Sequence, residues 1–298
     1  MIERRYTKVA VLMGGPSAER EVSLRSGAAV AKGLRAAGYD VAEVVLADES
    51  FELPSGVEAV FIALHGRFGE DGGLQTILKR RGIPYAGSGP EASRRAFDKR
   101  LTKQVLVREG IPTPPFELLR DGQRRRLPLP VVVKPPRQGS SIGVYRVFQE
   151  ADWAEALAGA LAHDEEVLVE RFIKGRELTV GVLDKAPLPV LEIRPREGFY
   201  SYQAKYTAGQ SEYLVPAPIP ETTAARCRDL ARRTFLVLDA EGFGRVDFRM
   251  TEDGDLFVLE LNTIPGFTEM SLFPKAARAA GMTFSELCDR IISQASVH

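Results

Sequence analysis

The sequence predicts an α/β protein with an α+β centre, and two patterns along the chain support this. Over the first third, short apolar segments alternate with helical patterns, which is typical of βαβ units and a mainly parallel sheet. From Val131 onward, apolar segments follow one another with few helices between them, which favours antiparallel sheets. A chain of 298 residues has room for two or three domains of roughly 100–150 residues.

Residues 1–97 are expected to form a Rossmann-like domain with a parallel sheet. Apolar runs predict three strands, at Lys8–Met13, Val41–Leu46 and Val57–Leu64. One helix is predicted over Glu19–Ala37, ending at Gly38, and a second begins near Leu74 and ends at Gly82. Because strands and helices alternate, ligands are expected at the carboxyl ends of the strands.

Residues 98–184 are expected to form a central α+β domain with an antiparallel sheet. A single helix is predicted over Ser93–Glu109, because Phe97, Leu101 and Val105 share one face. A second helix is predicted from the spacing of Trp153, Leu157 and Leu161. Four strands are predicted in this part of the chain, at Val131–Lys134, Gly143–Val147, Val167–Phe172 and Leu178–Leu183, and a fifth, Leu188–Ile193, follows directly after its boundary.

Residues 185–298 are expected to form a C-terminal α+β domain. The polar segment 196–210 is rich in Tyr and Gly and lacks periodicity, so we expect a lid loop there. Asp253-Gly254 predicts a two-residue hairpin turn. The other predicted elements are the helices Thr222–Asp239 and Phe284–Ala295 and the strands Gly244–Met250 and Leu256–Asn262.

The composition excludes several classes of protein. Forty basic and 40 acidic side chains give a formal charge of zero, which argues against a nucleic-acid binder. No apolar stretch approaches the ~18 residues of a membrane helix, and the N-terminus lacks the apolar core of a secretory signal. Two cysteines, Cys227 and Cys288, cannot form a disulfide framework. We therefore expect a cytoplasmic protein with neither nucleic-acid nor membrane partners.

The C-terminal hairpin gathers polar residues on one face. With a two-residue turn, Asp247 lies opposite Glu260, and Arg245 lies opposite Asn262. The other face is apolar and consists of Val246, Phe248, Leu259 and Leu261. Facing carboxylates repel each other, and a hard cation such as Mg²⁺ with oxygen ligands would remove that repulsion. A metal site and a solvated face with a cross-strand Arg–Asp pair both remain open.

The segment Arg137–Gly143 is rich in glycine and follows Lys134 at the end of a predicted strand. Its backbone N–H groups could form an anion-binding nest, with extra donors from the hydroxyls of Ser140 and Ser141. The segment lacks the Gly-Lys-Ser/Thr pattern of a Walker loop. An ordinary Gly- and Ser-rich hairpin therefore remains the alternative.

Two polar residues follow strands of the N-terminal sheet. Glu19 ends the segment Gly14–Glu19, whose glycine spacing differs from the dinucleotide fingerprint. His65 follows the third predicted strand. Glu19 could equally be a first-turn acid of the helix, and a lone histidine is often structural. Their shared position at one sheet edge favours a functional site.

At these residues the sequence resembles the D-alanine–D-alanine ligase family of the ATP-grasp superfamily, over nearly the whole chain. The joint occurrence of the motifs in this order is specific, whereas each motif alone is not. The motifs are Gly14–Ser23, Leu64–Gly72, Val133-Lys134-Pro135 with Gly139-Ser140-Ser141-Ile142-Gly143, Lys205-Tyr206, Gly244-Arg245-Val246-Asp247, Glu260-Leu261-Asn262-Thr263, Pro265-Gly266 and Ser271-Leu272.

The resemblance implies a fold in which two antiparallel α+β domains clamp ATP beside the Rossmann-like domain. It implies that ATP phosphorylates one D-alanine and that the amine of a second D-alanine attacks the acyl phosphate. The enzyme would supply D-alanyl-D-alanine for peptidoglycan synthesis. Two Mg²⁺ ions, for which Mn²⁺ can substitute, and a homodimer are also implied.

The resemblance further implies roles for individual residues. Groups expected to bind ATP are Lys99, Lys134, Ser141, Glu170, Phe172 and Glu177. Groups expected to hold the metal ions are Asp247, Glu260 and Asn262. Groups expected to bind the two D-alanines are Glu19, His65, Lys205, Ser271 and Leu272. The oxyanion hole would consist of Arg245 and the N–H of Gly266, and Glu19, Ser140 and Tyr206 would form a hydrogen-bonded triad.

Two other functions remain open. A related ligase could use D-lactate or D-serine as the acceptor, although Lys205-Tyr206 argues against the D-lactate type. A non-catalytic nucleotide-binding protein would be expected to lack metal ligands or phosphate-binding lysines. The sequence retains both.

Overall fold

A parallel sheet forms the N-terminal part of the computed structural model, which describes residues 5–196 and 210–298. Its strands are β1 Lys8–Gly14, β2 Asp40–Leu46, β3 Ala59–Ile62 and β4 Tyr85–Ala86, in the order β2-β1-β3-β4. Its helices are α1 Arg20–Ala36 and α2 Gly73–Arg80. All three strand pairs are parallel, as predicted.

The predicted helix Ser93–Glu109 is wrong, because the chain forms two helices there. They are α3 Pro90–Phe97 and α4 Lys99–Arg108. Asp98 between them is extended, with φ −80° and ψ 100°, and its carboxylate accepts hydrogen bonds from the N–H groups of Arg100 and Leu101. Asp is a strong N-cap residue, so the cap outweighs the continuous apolar spacing. The second helix therefore begins at Lys99.

Asp98→Ala is expected to lower the free energy of unfolding by about 1–2 kcal/mol, because two N–H groups of α4 lose their acceptor. Asp98→Asn is the matched control, since its amide oxygen can still cap the helix. Arg100 keeps its second partner, Glu166, at 3.0 Å in both variants. Urea unfolding of the three proteins measures the effect. If Asp98→Asn lowers the free energy of unfolding as much as Asp98→Ala does, the effect comes from the Asp98–Arg100 ion pair and not from the cap.

The central sheet is antiparallel, as predicted. Its strands are β5 Phe116–Leu119, β6 Val131–Lys134, β7 Tyr145–Val147 and β8 Val167–Arg171, in the order β5-β8-β6-β7. One face packs against helix α5 Trp153–Leu161 through buried Val131, Val133 and Ala160. Strand β5 was not predicted from the sequence.

The third sheet is also antiparallel. Its strands are β9 Arg176–Leu183, β10 Ala186–Pro187, β11 Leu191–Pro195, β12 Ser211–Leu214, β13 Phe243–Met250 and β14 Leu256–Asn262. The strand order is β12-β11-β9-β13-β14, with β10 paired to β9, and helix α6 Glu221–Val237 packs against β9, β13 and β14. Strand β9 precedes the proposed boundary at residue 184 but pairs within this sheet. The domain boundaries stay predictions.

The hairpin of β13 and β14 differs from the prediction at its turn. The loop has three residues, since Thr251 N donates to Asp255 O and Gly254 N donates to Thr251 O. Gly254 has φ +86°, as this loop type requires at its last position. A β-bulge at Leu259 then restores the predicted pairs Asp247–Glu260 and Arg245–Asn262. The bulge also moves Leu259 to the polar face, so its predicted core position is wrong.

The C-terminal segment returns to the N-terminal sheet. Helices α7 Leu272–Ala279 and α8 Phe284–Ile292 precede a bridge between Ser296 and Tyr85. Helix α8 packs on α1 so closely that a Cβ at Gly33 would lie 2.9 Å from the sulfur of Cys288. This return places the β14–α7 loop against the first sheet. In the described part of the chain, no helix is long and apolar enough to cross a membrane.

Candidate active site

Two cavities of about 550 Å³ each lie between the three sheets. The first, which we call the N-terminal cavity, lies between the first and third sheets and is lined by Glu19, His65, Arg245, Asn262, Gly266 and Ser271. The second, the hinge cavity, lies between the central and third sheets and is lined by Lys134, Glu170, Phe172, Glu177 and Asp247. The two cavities share Lys99, Gly139, Ser140 and Glu260.

The glycine-rich loop forms a tight turn between these cavities. Ile142 N donates to Gly139 O at 3.1 Å, and Ser140 and Ser141 have φ angles of 51° and 60°. Positive φ at both central residues defines a type I′ turn, in which each non-glycine residue costs about 1–2 kcal/mol. Such strain persists where surrounding contacts hold it. Here the Ser140 hydroxyl donates to the Glu19 carboxylate, which joins the central sheet to the first domain.

Glu19 precedes α1 but does not cap it. The structure shows no hydrogen bond from the first N–H groups of α1 to its side chain. The carboxylate is buried, accepts the Ser140 hydroxyl and faces the N-terminal cavity. A role limited to the first turn of α1 does not account for these contacts. The predicted pairing of Glu19 with Ser140 is present.

His65 is held from both ring nitrogens at the wall of the N-terminal cavity. Nε2 lies 3.1 Å from Ser26 Oγ, and Nδ1 lies 3.1 Å from Ile264 O. The neighbouring carboxyl of Glu70 is mostly buried, which raises its pKa, although the hydrogen bond with His65 opposes that effect. His65 therefore links α1, its own loop and the β14–α7 loop.

The polar face of the hairpin is a set of ion pairs. Arg245 donates from Nε and Nη2 to both oxygens of Asp247, at 2.9 and 2.8 Å. Thr179 donates to the same carboxylate at 2.6 Å. Lys99 Nζ lies 3.0 Å from Glu260 Oε2. Burial opposes the charge on Lys99, but the carboxylates of Glu260, Glu70 and Glu170 together outweigh it, so the pKa of Lys99 is raised.

These ion pairs weaken the argument for a metal ion from carboxylate repulsion, but they leave the argument from the oxygen donors unchanged. Since Arg245 and Lys99 each neutralise one carboxylate, repulsion between the acids does not by itself require a cation. The donor set nevertheless consists of hard oxygens from Asp247, Glu260 and Asn262, which fits Mg²⁺. Within residues 5–196 and 210–298, no three His, Cys, Asp or Glu side chains form a metal cluster, so the amide of Asn262 is needed to complete the set.

A buried charged cluster lies at the base of the hinge cavity. Glu170 pairs through Oε2 with Lys134 at 2.8 Å and through Oε1 with Lys103 at 2.5 Å. Burial disfavours the charge on Glu170, yet the two lysines hold its pKa below the usual range. The carboxylate is therefore ionised in this cavity.

Residues 172–177, which follow β8 and which we call the hinge segment, form a wall of the hinge cavity. The Phe172 ring packs 5.1 Å from that of Phe148. Glu177 lies 3.4 Å from Arg249, which also donates to the carbonyls of Ile173 and Gly175. Phe172 and Glu177 thus line one cavity with Lys134 and Glu170, which suits a ligand with an apolar ring and anionic groups.

The loop before α7 forms the far end of the N-terminal cavity. Thr268 N donates to Ser271 Oγ at 3.0 Å, and Leu272 is the first residue of the helix. Gly266, Ser271 and Leu272 all line the cavity. The N-terminus of a helix favours an anion, so a carboxylate suits this position.

Known proteins match this chain over nearly its whole length. The sequence matches the family described as D-ala D-ala ligase N-terminus over residues 43–88 and D-ala D-ala ligase C-terminus over residues 105–293. It is 52% identical to the D-alanine–D-alanine ligase of Syntrophotalea carbinolica, over 99% of this chain and 98% of that protein. It is 47% identical to that of Methylacidiphilum infernorum, over 95% and 94%.

The chain belongs to the D-alanine–D-alanine ligase family. The structure also superimposes on the Bacillus anthracis D-alanine–D-alanine ligase complexed with ATP, with a TM-score of 0.85 at 32% identity, covering 96% of this chain and 97% of that one. The ATP-grasp fold expected from the motifs is confirmed by this match. Two residues of the family motifs, Lys205 and Tyr206, lie outside the described residues, as does most of the proposed lid 196–210. Their roles stay predictions.

Several residues of this ligase-family site were not predicted from the sequence. Ser26 could have been found, since it lies seven residues after Glu19 on the same face of α1. Lys103 likewise lies one turn after Lys99. Lys275 lines the N-terminal cavity from α7, a helix that the apolar pattern did not reveal.

Proposed function

We propose that the protein joins two molecules of D-alanine to D-alanyl-D-alanine, with conversion of ATP to ADP and phosphate, for peptidoglycan precursor synthesis. The observation that carries this proposal is the meeting of the two cavities at Lys99, Gly139, Ser140 and Glu260. A nucleotide in the hinge cavity and amino acids in the N-terminal cavity would have their reacting groups at this shared boundary. Holding two reactants in the correct geometry accounts for a large part of the rate acceleration that an enzyme gives to a bimolecular reaction.

The first D-alanine is assigned to the part of the N-terminal cavity near Glu19 and His65. The buried carboxylate of Glu19 suits the substrate ammonium, because charge-assisted hydrogen bonds are strong when shielded from water. The carboxylate of this D-alanine accepts the γ-phosphoryl group, and ADP leaves. The product is an acyl phosphate, which must be protected from water.

The second D-alanine is assigned to the end of the cavity near Ser271 and Leu272, where the α7 N-terminus suits its carboxylate. Its amine attacks the acyl carbon, an oxyanion develops, and phosphate leaves as the amide forms. Arg245 and the N–H of Gly266 line the same cavity and would donate to this oxyanion. The proton that the amine loses in this step is taken up by the departing phosphate.

The nucleotide is assigned to the hinge cavity. Lys99, Lys134 and the Ser141 region suit the phosphates, whereas Glu170, Phe172 and Glu177 suit the adenine and ribose. Asp247, Glu260 and Asn262 would hold two Mg²⁺ ions, or Mn²⁺ in their place. When bound, such ions neutralise phosphate charge and polarise the transferring phosphoryl group.

We also infer a homodimer in the cytoplasm. The family resemblance supports the dimer. Support for the compartment comes from the two thiols, Cys227 and Cys288, which are both buried and unpaired. Such cysteines suit a reducing environment.

A substrate panel tests the proposed activity. Phosphate release from ATP is measured with D-alanine alone, with L-alanine, and with D-alanine plus D-lactate or D-serine, and the products are identified by mass spectrometry. We expect D-alanyl-D-alanine with D-alanine alone and no product with L-alanine. A dominant mixed product would favour a different acceptor, whereas no phosphate release under any condition would favour a non-catalytic nucleotide-binding protein.

Glu19→Gln is expected to raise the KM for the first D-alanine by about 10–100-fold, since a hydrogen bond to a charged group contributes about 1.5–3 kcal/mol. The KM for ATP should change little, because Glu19 lines only the N-terminal cavity. Glu21→Gln, in the exposed first turn of α1, is the control. Steady-state kinetics with each substrate varied separately measures both constants. Equal increases for both substrates would indicate that Glu19 acts through the fold.

A further inference from the structure

Lys103 is a wholly buried lysine that the proposed reaction does not use. It lies one turn after Lys99 on α4, and its side chain has no solvent exposure. Its ammonium lies 2.5 Å from Glu170 Oε1, donates to Thr113 Oγ1 at 2.6 Å and lies 5.4 Å from the centre of the Phe116 ring. Thr113 in turn donates to Val258 O at 2.8 Å. Burying an ammonium is costly, and these specific partners offset that cost.

The two oxygens of Glu170 are divided between two cations. Oε1 faces Lys103, and Oε2 faces Lys134, at 2.5 and 2.8 Å. Two positive charges and one negative charge leave a net charge of +1 in the cluster. Only Lys134 and Glu170 of these three line the hinge cavity, so the surplus charge is presented there through Lys134. Without Lys103, the Lys134–Glu170 pair would be neutral.

We propose that Lys103 is a positioning residue that offsets the charge of Glu170, so that the charge of Lys134 remains available to the phosphates of a nucleoside di- or triphosphate. This inference rests on the proposed nucleotide site in the hinge cavity. It predicts that Lys103 affects the binding of phosphates and not that of the nucleoside. A residue that only filled space would affect both equally.

The proposal also has a pH dependence. Burial lowers the pKa of Lys103 to about 8, although Glu170 opposes the shift. The other charged groups that act on it are Lys134, on β6, which lowers the pKa further, and Glu260, on β14, which raises it. Above pH 8 the folded protein therefore loses the Lys103 proton, and the cluster loses its surplus charge. ADP affinity should weaken with rising pH, by at most about tenfold per pH unit for one linked proton.

Calorimetric titration of the full-length protein with ADP and with adenosine, in Mg²⁺ buffer at pH 7, tests the inference. For Lys103→Met we expect the Kd of ADP to rise about tenfold, as for loss of one nearby charge, and the Kd of adenosine to stay constant. Equal weakening of both ligands, or no change in either, would overturn the inference. Failure of the wild-type protein to bind ADP would overturn the proposed function as well.

A charge-restoring double variant separates charge from packing. Lys103→Met combined with Glu170→Gln returns the cluster to +1 through Lys134. We compare the ratio of the adenosine Kd to the ADP Kd, because an effect of Glu170 on adenine binding changes both constants alike. This ratio should fall in the single variant and return to near the wild-type value in the double variant. A ratio that stays low in the double variant would contradict the inference.

The wild-type protein supplies a test that needs no substitution. Its ADP Kd should rise between pH 7.5 and 9.5, while that of Lys103→Met should follow a flatter profile, because the titrating group is absent. Parallel profiles in the two proteins would assign the pH dependence to another group and overturn this part of the inference.

Discussion

Glu260→Gln is expected to lower ligase turnover by about 10²–10³-fold, the usual cost of removing one preorganised electrostatic group from an active site. Glu260 lies on both cavities, opposite Asp247 and 3.0 Å from Lys99. The substitution removes a proposed metal ligand and leaves the Lys99 charge without its carboxylate. Both changes act where the phosphoryl group would be transferred.

Release of ADP and formation of dipeptide, measured at saturating ATP, D-alanine and Mg²⁺, report the effect of this substitution. Glu252→Gln is the matched control, since Glu252 lies at the turn of the same hairpin and is 78% exposed. Thermal unfolding of both variants shows whether the fold is retained. Turnover near the wild-type value in a folded Glu260→Gln protein would remove Glu260 from the proposed metal site.

The hairpin shows how local chemistry makes part of this site predictable. Alternation of polar and apolar residues is sufficient by itself to place Arg245, Asp247 and Glu260 on one face. The turn itself has three residues and not two, and the bulge at Leu259 compensates for the difference. The site pairs were therefore correct although the predicted turn was wrong. Strand register is most safely predicted where both strands have a buried face, because a slip of one residue would bury the charges.

Contacts between distant segments could not be derived from residue patterns alone. The Ser140–Glu19 hydrogen bond spans 121 positions and depends on how the central sheet sits against the first domain. The resemblance to a family implied this contact, whereas the spacing of neither residue did. The cluster of Lys103, Lys134 and Glu170 could not be predicted either. In the sequence Lys103 is an ordinary polar residue of a helix, and only the fold places it beside Glu170 on β8.

At the break between α3 and α4, helix capping competes with apolar spacing, and the spacing alone predicts the wrong helix boundaries. Phe97, Leu101 and Val105 fit one continuous helical face, but the Asp98 side chain caps a new helix. Capping outweighs periodicity here because the carboxylate accepts two N–H groups that would otherwise lack partners. The result matters for function, since the break makes Lys99 the first residue of α4, where its ammonium donates to Gln138 O at 2.8 Å and reaches Glu260.

Arg245→Lys is expected to reduce kcat/KM for D-alanine by about 10²-fold or more, although the positive charge is conserved. The guanidinium donates two parallel hydrogen bonds to Asp247, at 2.9 and 2.8 Å, and is only 12% exposed. Arg245 also lines the N-terminal cavity, where an oxyanion would develop. Lysine cannot reproduce a bidentate bond and a further directed donor at once.

The substitution Arg245→Lys therefore separates two roles of the side chain. If Arg245 only neutralises Asp247, lysine should retain nearly full activity, and wild-type rates would exclude the oxyanion role. If it also directs a donor to the reacting carbonyl, kcat should fall while ATP binding is retained. Arg228→Lys, in an exposed ion pair with Glu221 on α6, is the control for the chemical change itself. The kinetics of dipeptide formation and the affinity for ADP are measured in parallel. A loss of ADP affinity would indicate that the substitution has displaced Asp247.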